Sequence, residues 1–220
     1  ASSASSEQVL HGNAKHGKAI AKGAPEVPAE QACGSCHGDM GEGNAESGIP
    51  RLAGQSQDYL LRALEEYASG LRKNEVMTPI AKALKPGQRA DVTAYYTSLH
   101  EAEWKKPSEA NAEQLRQGAV LASVGSADRG VQGCMNCHGP QGRGLPPTAP
   151  YLAGQSADYL ADRLKAWREA EPSDSAEPPA VMAQIARHLT DEDIEAVTAY
   201  FAQLSPDPIR LGTRNAEASP

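Results

Sequence analysis

Residues 50–60 read PRLAGQSQDYL, and residues 150–160 read PYLAGQSADYL, so nine of eleven letters recur one hundred positions later. Three further matches keep the same order along the chain: CGSCHG at 33–38 with CMNCHG at 134–139, MTPIAKAL at 77–84 with MAQIARHL at 182–189, and VTAY at 92–95 with VTAY at 197–200. A repeat of this length indicates two tandem copies of one domain rather than two unrelated halves.

The residue spacing within each copy predicts an all-α unit. Each copy reads as a helix, a CxxCH segment, a loop, a helix, a loop containing a Met, and a last helix, because apolar residues recur at helical intervals. We expect the hydroxyls of Ser56 and Ser156 to cap the middle helices, and Thr190 with Asp193 to form a capping box before the last helix. No alternating strand pattern of useful length occurs.

The repeat and the polar stretch between its copies divide the chain into five segments. They are a flexible N-terminal segment 1–11, a first domain 12–100, a linker 101–111, a second domain 112–205 and a tail 206–220. The linker stretch is polar and contains a Pro, which is typical of a connection between domains.

Composition excludes some classes of function. A net charge of −7 over 220 residues argues against a nucleic-acid partner. No apolar run reaches the ~18 residues that a membrane span needs. The chain has one Phe and two Trp, so each half is short of large apolar groups, and a bound apolar cofactor would help to fill each core.

All four cysteines lie in two CxxC pairs, each followed at once by a histidine: Cys33, Cys36 and His37, then Cys134, Cys137 and His138. A four-cysteine zinc site would leave both histidines without a role. A redox-active dithiol is typical of a βαβ setting, which the helical pattern does not provide. Covalent haem attachment uses every one of these residues, since the thiols form thioethers and the histidine ligates the iron. The pattern therefore favours two haem c groups.

Met77 and Met182 are the candidates for a second axial ligand. They follow their histidines by 40 and 44 residues, which is far enough for the chain to pass around the ring. Met40 and Met135 lie too close to the CxxCH segments to reach its other face. A lone Met is more often a core residue, but these two occupy matching positions of the repeat, which favours ligation.

On these motifs the chain resembles the class I c-type cytochromes, and specifically the dihaem cytochrome c4 family, over about residues 12–100 and 113–205. The resemblance implies two domains related by an approximate two-fold, each with three main helices around one haem. It implies that Pro50 and Pro150 accept the N–H of the ligating histidines, and that Gly17 and Gly118 let the first helix cross closely over the last. The remaining expected pocket residues are Leu52, Tyr59, Leu152 and Tyr159.

Ligation by His and Met saturates the iron and raises its potential, so we expect an electron carrier and not an enzyme. It would work in the periplasm, with its export signal already removed, as a monomer or weak dimer between a donor enzyme and a terminal acceptor. The alternative is an electron-accepting subunit or partner of a haem enzyme such as thiosulfate dehydrogenase, or a dihaem enzyme with one labile axial ligand.

Charge suggests where a redox partner docks. The segment around Met77 carries Arg72, Lys73, Lys82 and Lys85, whereas residues 169–177 before Met182 are acidic. An acidic partner would therefore be steered to the first domain. Ordinary solvated surface charge is the alternative interpretation.

Overall fold

The computed structural model describes residues 12–23, 32–100, 102–108, 111–170 and 178–206. The expected flexible segment 1–11, the tail beyond Pro206 and the acidic residues 171–177 lie outside these ranges. Within the ranges, no helix has both the length and the apolar content for a membrane crossing.

Both halves of the chain fold into the same series of helices. The described part of the first half contains α1 (Ala14–Ala21), α2 (Cys33–His37), α3 (Gln57–Ser69), α4 (Met77–Ala83) and α5 (Pro86–Thr97). The described part of the second half contains α6 (Ala112–Ser123), α7 (Met135–His138), α8 (Ala157–Arg168), α9 (Pro178–Ala186) and α10 (Asp191–Ala202). Short 3₁₀ turns occur at Ala45–Ser47, Ala127–Arg129 and Pro140–Gly142. The all-α prediction is confirmed, and the second half adds only a two-residue hairpin, β1 (Gly125–Ser126) with β2 (Val131–Gln132).

Each half has its own hydrophobic core. In the first, α1 packs across α5, and Ile20, Leu60 and Tyr96 belong to one buried cluster. In the second, α6 packs across α10 around a separate cluster that includes Ile194 and Phe201. Two cores of matching composition are what a tandem repeat of one domain requires.

The structure contains some, but not all, of the helix caps that the sequence predicted. The Thr190–Asp193 capping box forms as predicted, and the Ser156 hydroxyl accepts the N–H of Tyr159. Ser56 occupies the position before α3, but its hydroxyl makes no capping hydrogen bond. The prediction for Ser56 was therefore wrong, and its hydroxyl is buried without a hydrogen-bond partner among the described residues.

The two methionine segments are helices rather than the predicted loops. Met77 is the first residue of α4, because the Asn74 side-chain oxygen accepts the N–H groups of Val76 and Met77 at 3.0 and 2.9 Å and so caps the turn. Met182 lies inside α9, which begins at Pro178, and Pro is well tolerated in a first helical turn.

The repeated stretch, residues 50–60 and 150–160 (called the repeated phrase below), forms the contact between the two halves. Gln55 accepts the Tyr151 N–H at 3.1 Å and donates to the Tyr151 carbonyl at 3.0 Å. Gln155 accepts the Arg51 N–H at 2.8 Å and donates to the Arg51 carbonyl at 3.0 Å. Each glutamine thus pairs with the backbone of the other copy. Reciprocal contacts of this kind are the mark of a two-fold relation, here an approximate one within a single chain.

The two-fold relation fails at one pair of matching positions. Arg51 is buried and donates from both terminal nitrogens to the carbonyls of Ala102 and Glu103 in the linker, each at 2.8 Å. Its counterpart Tyr151 donates its hydroxyl to the Ala53 carbonyl in the first half. The linker is therefore held against the first half by a cation that the second half lacks.

Replacing Gln155 with Ala is expected to lower the free energy of unfolding by about 2–4 kcal/mol, since the buried N–H and carbonyl of Arg51 would each lose a partner. Chemical denaturation followed by circular dichroism measures this. Gln117→Ala is the matched control, because Gln117 is exposed and bonds only within its own helix. An equal, small effect of the two substitutions would show that the glutamine contacts contribute little.

Candidate functional site

A cavity of about 930 Å³ lies against α3, α4 and α5 of the first half and extends to α8 of the second, and its volume is within the size range of cofactor sites. All seven residues that the sequence singled out for this half line it: Cys33, Cys36, His37, Pro50, Leu52, Tyr59 and Met77. Apolar side chains of α3, α4 and α5 complete the wall, including Leu64, Ile80 and Val92. The structure therefore brings the CxxCH segment and the distant methionine to one enclosed space.

The His37 ring has a fixed orientation in this cavity. It ends the short helix α2 and is buried, and its Nδ1 lies 2.9 Å from the Pro50 carbonyl oxygen. A carbonyl can only accept, so Nδ1 carries the hydrogen and Nε2 keeps its lone pair for a metal. Burial lowers the pKa of His37 below its ordinary value, which favours the neutral ring that metal binding requires.

The second half repeats this arrangement in a narrower cavity. Its wall contains Cys134, Cys137, His138, Pro150, Leu152, Tyr159 and Met182. The His138 Nδ1 lies 2.8 Å from the Pro150 carbonyl oxygen, and burial lowers the pKa of the His138 ring as well. The cavity volume is about 110 Å³, so its walls lie closer together than those of the first.

Both cavities fit a haem group by the chemistry of their walls. Each offers two thiols, one imidazole nitrogen, one thioether and a largely apolar lining.

Haem also carries two carboxylates, and the first cavity has cations that could pair with them. Arg51, Arg72 and Arg163 line it, each with an Nε that has no hydrogen-bond partner. None of the three forms an ion pair with a carboxylate among the described residues. Arg51 and Arg72 are buried and Arg163 is partly buried, and a buried cation needs an anionic partner.

The two other chemistries considered for the cysteines find no support. A zinc site would need ligands from both CxxC pairs, but the pairs line different cavities. In the described ranges, no group of three or more His, Cys, Asp or Glu residues is arranged to hold a metal ion. The dithiol interpretation needed a βαβ setting, whereas the described residues around the first pair are helices and turns and the second pair is preceded only by the short antiparallel hairpin β1–β2.

The structure corrects one of the four expected docking residues. Lys73, Lys82 and Lys85 are exposed as predicted, but Arg72 is only 7% exposed. Its guanidinium lies over the Tyr67 ring, 4.6 Å from the centroid, and donates to the Tyr159 hydroxyl of the second half at 3.0 Å. Arg72 therefore belongs to the contact between the halves and is not available to a redox partner.

Sequence reasoning missed this contact between the halves. The Tyr59 and Tyr159 hydroxyls lie 2.7 Å apart, and Gln155 and Arg163 join the two tyrosines in lining both cavities. One signal was present in the sequence, since the same Gln occurs in both copies inside an otherwise apolar and small-residue phrase. A buried amide in that position needs backbone partners, which the other copy provides.

Comparison with known proteins identifies the family of the chain. The sequence model of the family described as cytochrome c matches twice, over residues 14–100 and 128–205. The chain belongs to the cytochrome c family. It is a dihaem class I cytochrome of the cytochrome c4 type, and it carries two covalently bound haem c groups with iron. The prediction from the repeat and the CxxCH motifs is thereby confirmed.

Three relatives are similar to this chain over most of its length. A "thiosulfate dehydrogenase electron acceptor" of Stutzerimonas stutzeri (strain A1501) is 38% identical over 177 residues, which are 80% of this chain and 81% of the relative. The crystal structure of reduced recombinant cytochrome c4 from Pseudomonas stutzeri superposes with a TM-score of 0.73 at 30% identity, covering 88% of this chain and 99% of that one. Thiosulfate dehydrogenase (TsdBA) from Marichromatium purpuratum gives a TM-score of 0.73 at 34% identity, covering 88% of this chain and 40% of that longer one.

The first of these relatives is an electron acceptor by name and the second a cytochrome, whereas the third is a dehydrogenase of which this chain matches 40%. The cytochrome c4-type chain described here is accordingly an electron-transfer protein that exchanges electrons with redox partners, in agreement with the prediction that it is not itself an enzyme.

Proposed function

We propose that this cytochrome is a periplasmic electron carrier that accepts single electrons from a thiosulfate dehydrogenase and passes them to a terminal acceptor. One observation carries the proposal: in both halves, a CxxCH histidine oriented by a proline carbonyl shares a cavity with a methionine. The acceptor of Stutzerimonas stutzeri supports the choice of donor. So does TsdBA, a longer chain of which 40% is matched by this one.

We infer that His37 with Met77, and His138 with Met182, hold the two irons. Each haem then supplies a one-electron iron couple, whose potential methionine ligation raises. The chain's own residues fix the ligands: the Pro50 and Pro150 carbonyls orient the imidazoles, and the Asn74 cap holds the Met77 backbone at the start of α4. With a methionine in the wall of each cavity, an enzyme with one labile axial ligand is the less favoured function.

The attachment chemistry supports the proposed periplasmic location. Haem is joined to CxxCH thiols outside the cytoplasm in bacteria, where dedicated machinery keeps the thiols reduced. No disulfide links the cysteines of either pair, which is compatible with thioether attachment at both.

Visible spectra of the oxidised and reduced protein, with carbon monoxide added to the reduced form, test the proposed ligands. We expect two c-type haems, a methionine–iron band in the red region, and no spectral shift with carbon monoxide. A shift at either haem would overturn saturated ligation and favour the enzyme. Stopped-flow mixing with purified thiosulfate dehydrogenase and thiosulfate tests the donor: both haems should be reduced, and failure while another donor enzyme succeeds would discard thiosulfate dehydrogenase alone.

The surface beside the first cavity is a candidate docking site for an acidic redox partner. Leu71 and Val76 are 86% and 55% exposed, and the exposed cations Lys73, Lys82 and Lys85 lie on the same segment of chain. Exposed apolar residues bordered by like charges are typical of surfaces that bind a partner of opposite charge.

Reversing Lys82 and Lys85 to Glu is expected to slow reduction by the donor enzyme roughly tenfold at low salt, because electrostatic steering raises association rates by about 10-fold or more. Second-order rate constants measured across ionic strength give the effect, which should shrink as salt screens the charges. Lys105→Glu with Lys106→Glu is the control, since these exposed linker residues change the net charge equally. Equal slowing of both variants would mean that net charge matters and this surface does not.

A further inference from the structure

Two tyrosines occupy the boundary between the haem cavities. Tyr59 lies in the first turn of α3 and Tyr159 in the first turn of α8, and each of them lines both cavities. Their hydroxyl oxygens are 2.7 Å apart, the usual length of a good O–H···O hydrogen bond. The hydroxyl contact is thus a direct link between the wall of one site and the wall of the other.

Arg72 of the first domain fixes the position of the Tyr159 hydroxyl. Its guanidinium donates to the Tyr159 hydroxyl at 3.0 Å and lies over the rings of Tyr67 and Tyr159. With one lone pair of Tyr159 taken by Arg72, the hydroxyl keeps its own hydrogen and a second lone pair for Tyr59. Burial raises the pKa of Tyr59 far above its ordinary value, so the Tyr59 hydroxyl stays protonated at neutral pH.

The link matters for electron transfer because electronic coupling falls more steeply across a gap between atoms than along covalent bonds and short hydrogen bonds. A route from the Tyr59 ring through the two hydroxyls to the Tyr159 ring crosses the boundary by one 2.7 Å hydrogen bond. Without that bond, the route would have to cross a van der Waals gap. The glutamine pairs beside it fix the spacing of the two halves, so the contact is present in the resting structure and needs no rearrangement.

We propose that the Tyr59–Tyr159 hydroxyl contact carries the electronic coupling between the two haem sites, with Arg72 as the positioning residue. One electron passes from one site to the other, so one iron is oxidised from Fe(II) to Fe(III) and the other is reduced from Fe(III) to Fe(II). No bond is made or broken, and both tyrosines keep their protons. The inference rests on the proposed function in that both sites must be redox-active.

The test uses the full-length protein with both haems, as wild type, Tyr59→Phe, Tyr159→Phe and the double variant. Pulse radiolysis delivers one electron per molecule, and the absorbance of the two haems then reports the rate of intramolecular equilibration. The two midpoint potentials, measured by spectroelectrochemistry, allow rates to be compared at equal driving force. Each Phe variant removes one hydroxyl but keeps the ring, so the fold should persist, which thermal unfolding checks.

We expect each Phe variant to transfer the electron severalfold more slowly at equal driving force, and the double variant no more slowly than either single one. Tyr200→Phe is the control and should match the wild type, since Tyr200 lines neither cavity. Arg72→Gln should slow transfer in the wild type but add nothing in Tyr159→Phe, as expected of a residue that acts through that hydroxyl.

Wild-type rates in the Phe variants would overturn the inference, even if the variants were less stable, because the contact would then be structural only. A wild type without intramolecular transfer would overturn it too. In that case, reduction of both haems by the donor enzyme would still support the carrier function, so the two failures are distinguishable.

Discussion

Replacing Met77 with Ala is expected to open the first haem iron to carbon monoxide while the second stays closed. The methyl group of Ala cannot ligate, and none of the residues that line this cavity is another methionine. Carbon monoxide should therefore shift the spectrum of one haem out of two, and the methionine–iron band should lose about half its intensity. The potential of the opened haem should fall by roughly 0.1–0.2 V, a modest part of the ~0.8 V range over which axial ligands act.

Met40→Ala is the control for this substitution. Met40 lies three residues after His37 but is 40% exposed and does not line the cavity, so its removal should change neither the spectrum nor carbon monoxide binding. The Met77 variant should still fold, because the Asn74 cap acts on the backbone N–H and not on the side chain. Absence of carbon monoxide binding in Met77→Ala would assign the sixth ligand to another residue.

The residues that line the two cavities could be found in the sequence because they belong to patterns that are local or repeated. The CxxCH motif places two thiols and an imidazole on one turn of chain, whatever surrounds it. Met77 and Met182 could be found because two copies of the motif gave two alignments, and a residue that recurs at matching positions is unlike a core Met placed by chance. The structure then brought each methionine to the expected cavity.

The contact between the halves could not be predicted in the same way, because a repeat shows which residues correspond but not which faces meet. Arg72 lies among lysines in the sequence and was interpreted as surface charge. It is buried because Tyr159, which is 87 residues away, provides its acceptor. Ser56 was expected to cap α3 by the usual preference, but its hydroxyl is buried and makes no capping hydrogen bond, whereas the matching Ser156 caps α8.

The repeated phrase has two roles, which accounts for its near identity in the two copies. Its Pro carbonyl accepts a hydrogen bond from the CxxCH histidine of the same domain, and its Gln, five residues after the Pro, pairs with the backbone of the other copy. A change in either copy would thus disturb a haem site and the spacing of the two sites together. The residue after the Pro is free to differ between the copies, because Gln155 bonds only to the backbone N–H and carbonyl of Arg51. The two copies have Arg51 and Tyr151 at this position.

Replacing Gly17 with Ala is expected to lower the free energy of unfolding by at least about 3 kcal/mol. A Cβ at this position would lie 1.9 Å from the Asp91 carbonyl oxygen and 2.9 Å from the Tyr95 Cβ, both on α5. Because the first of these is backbone, α1 would have to move away from α5, and the buried contacts of Ile20 would loosen. The ~1 kcal/mol that Ala adds to helix propensity is too small to compensate. We expect a fall of more than roughly 10 °C in the unfolding midpoint of the first domain.

Gly87→Ala separates this clash from any general effect of adding a methyl group to a helical Gly. Gly87 lies in α5 of the same domain, and a Cβ there would meet no neighbouring group within 4 Å, so its replacement should stabilise by up to about 1 kcal/mol. The two substitutions are chemically identical and should act in opposite directions. In the second domain Gly118→Ala should repeat the loss, since its Cβ would lie 2.1 Å from the Ala196 carbonyl oxygen. If Gly17→Ala were neutral, close crossing of α1 and α5 would not be what holds the haem-binding core together.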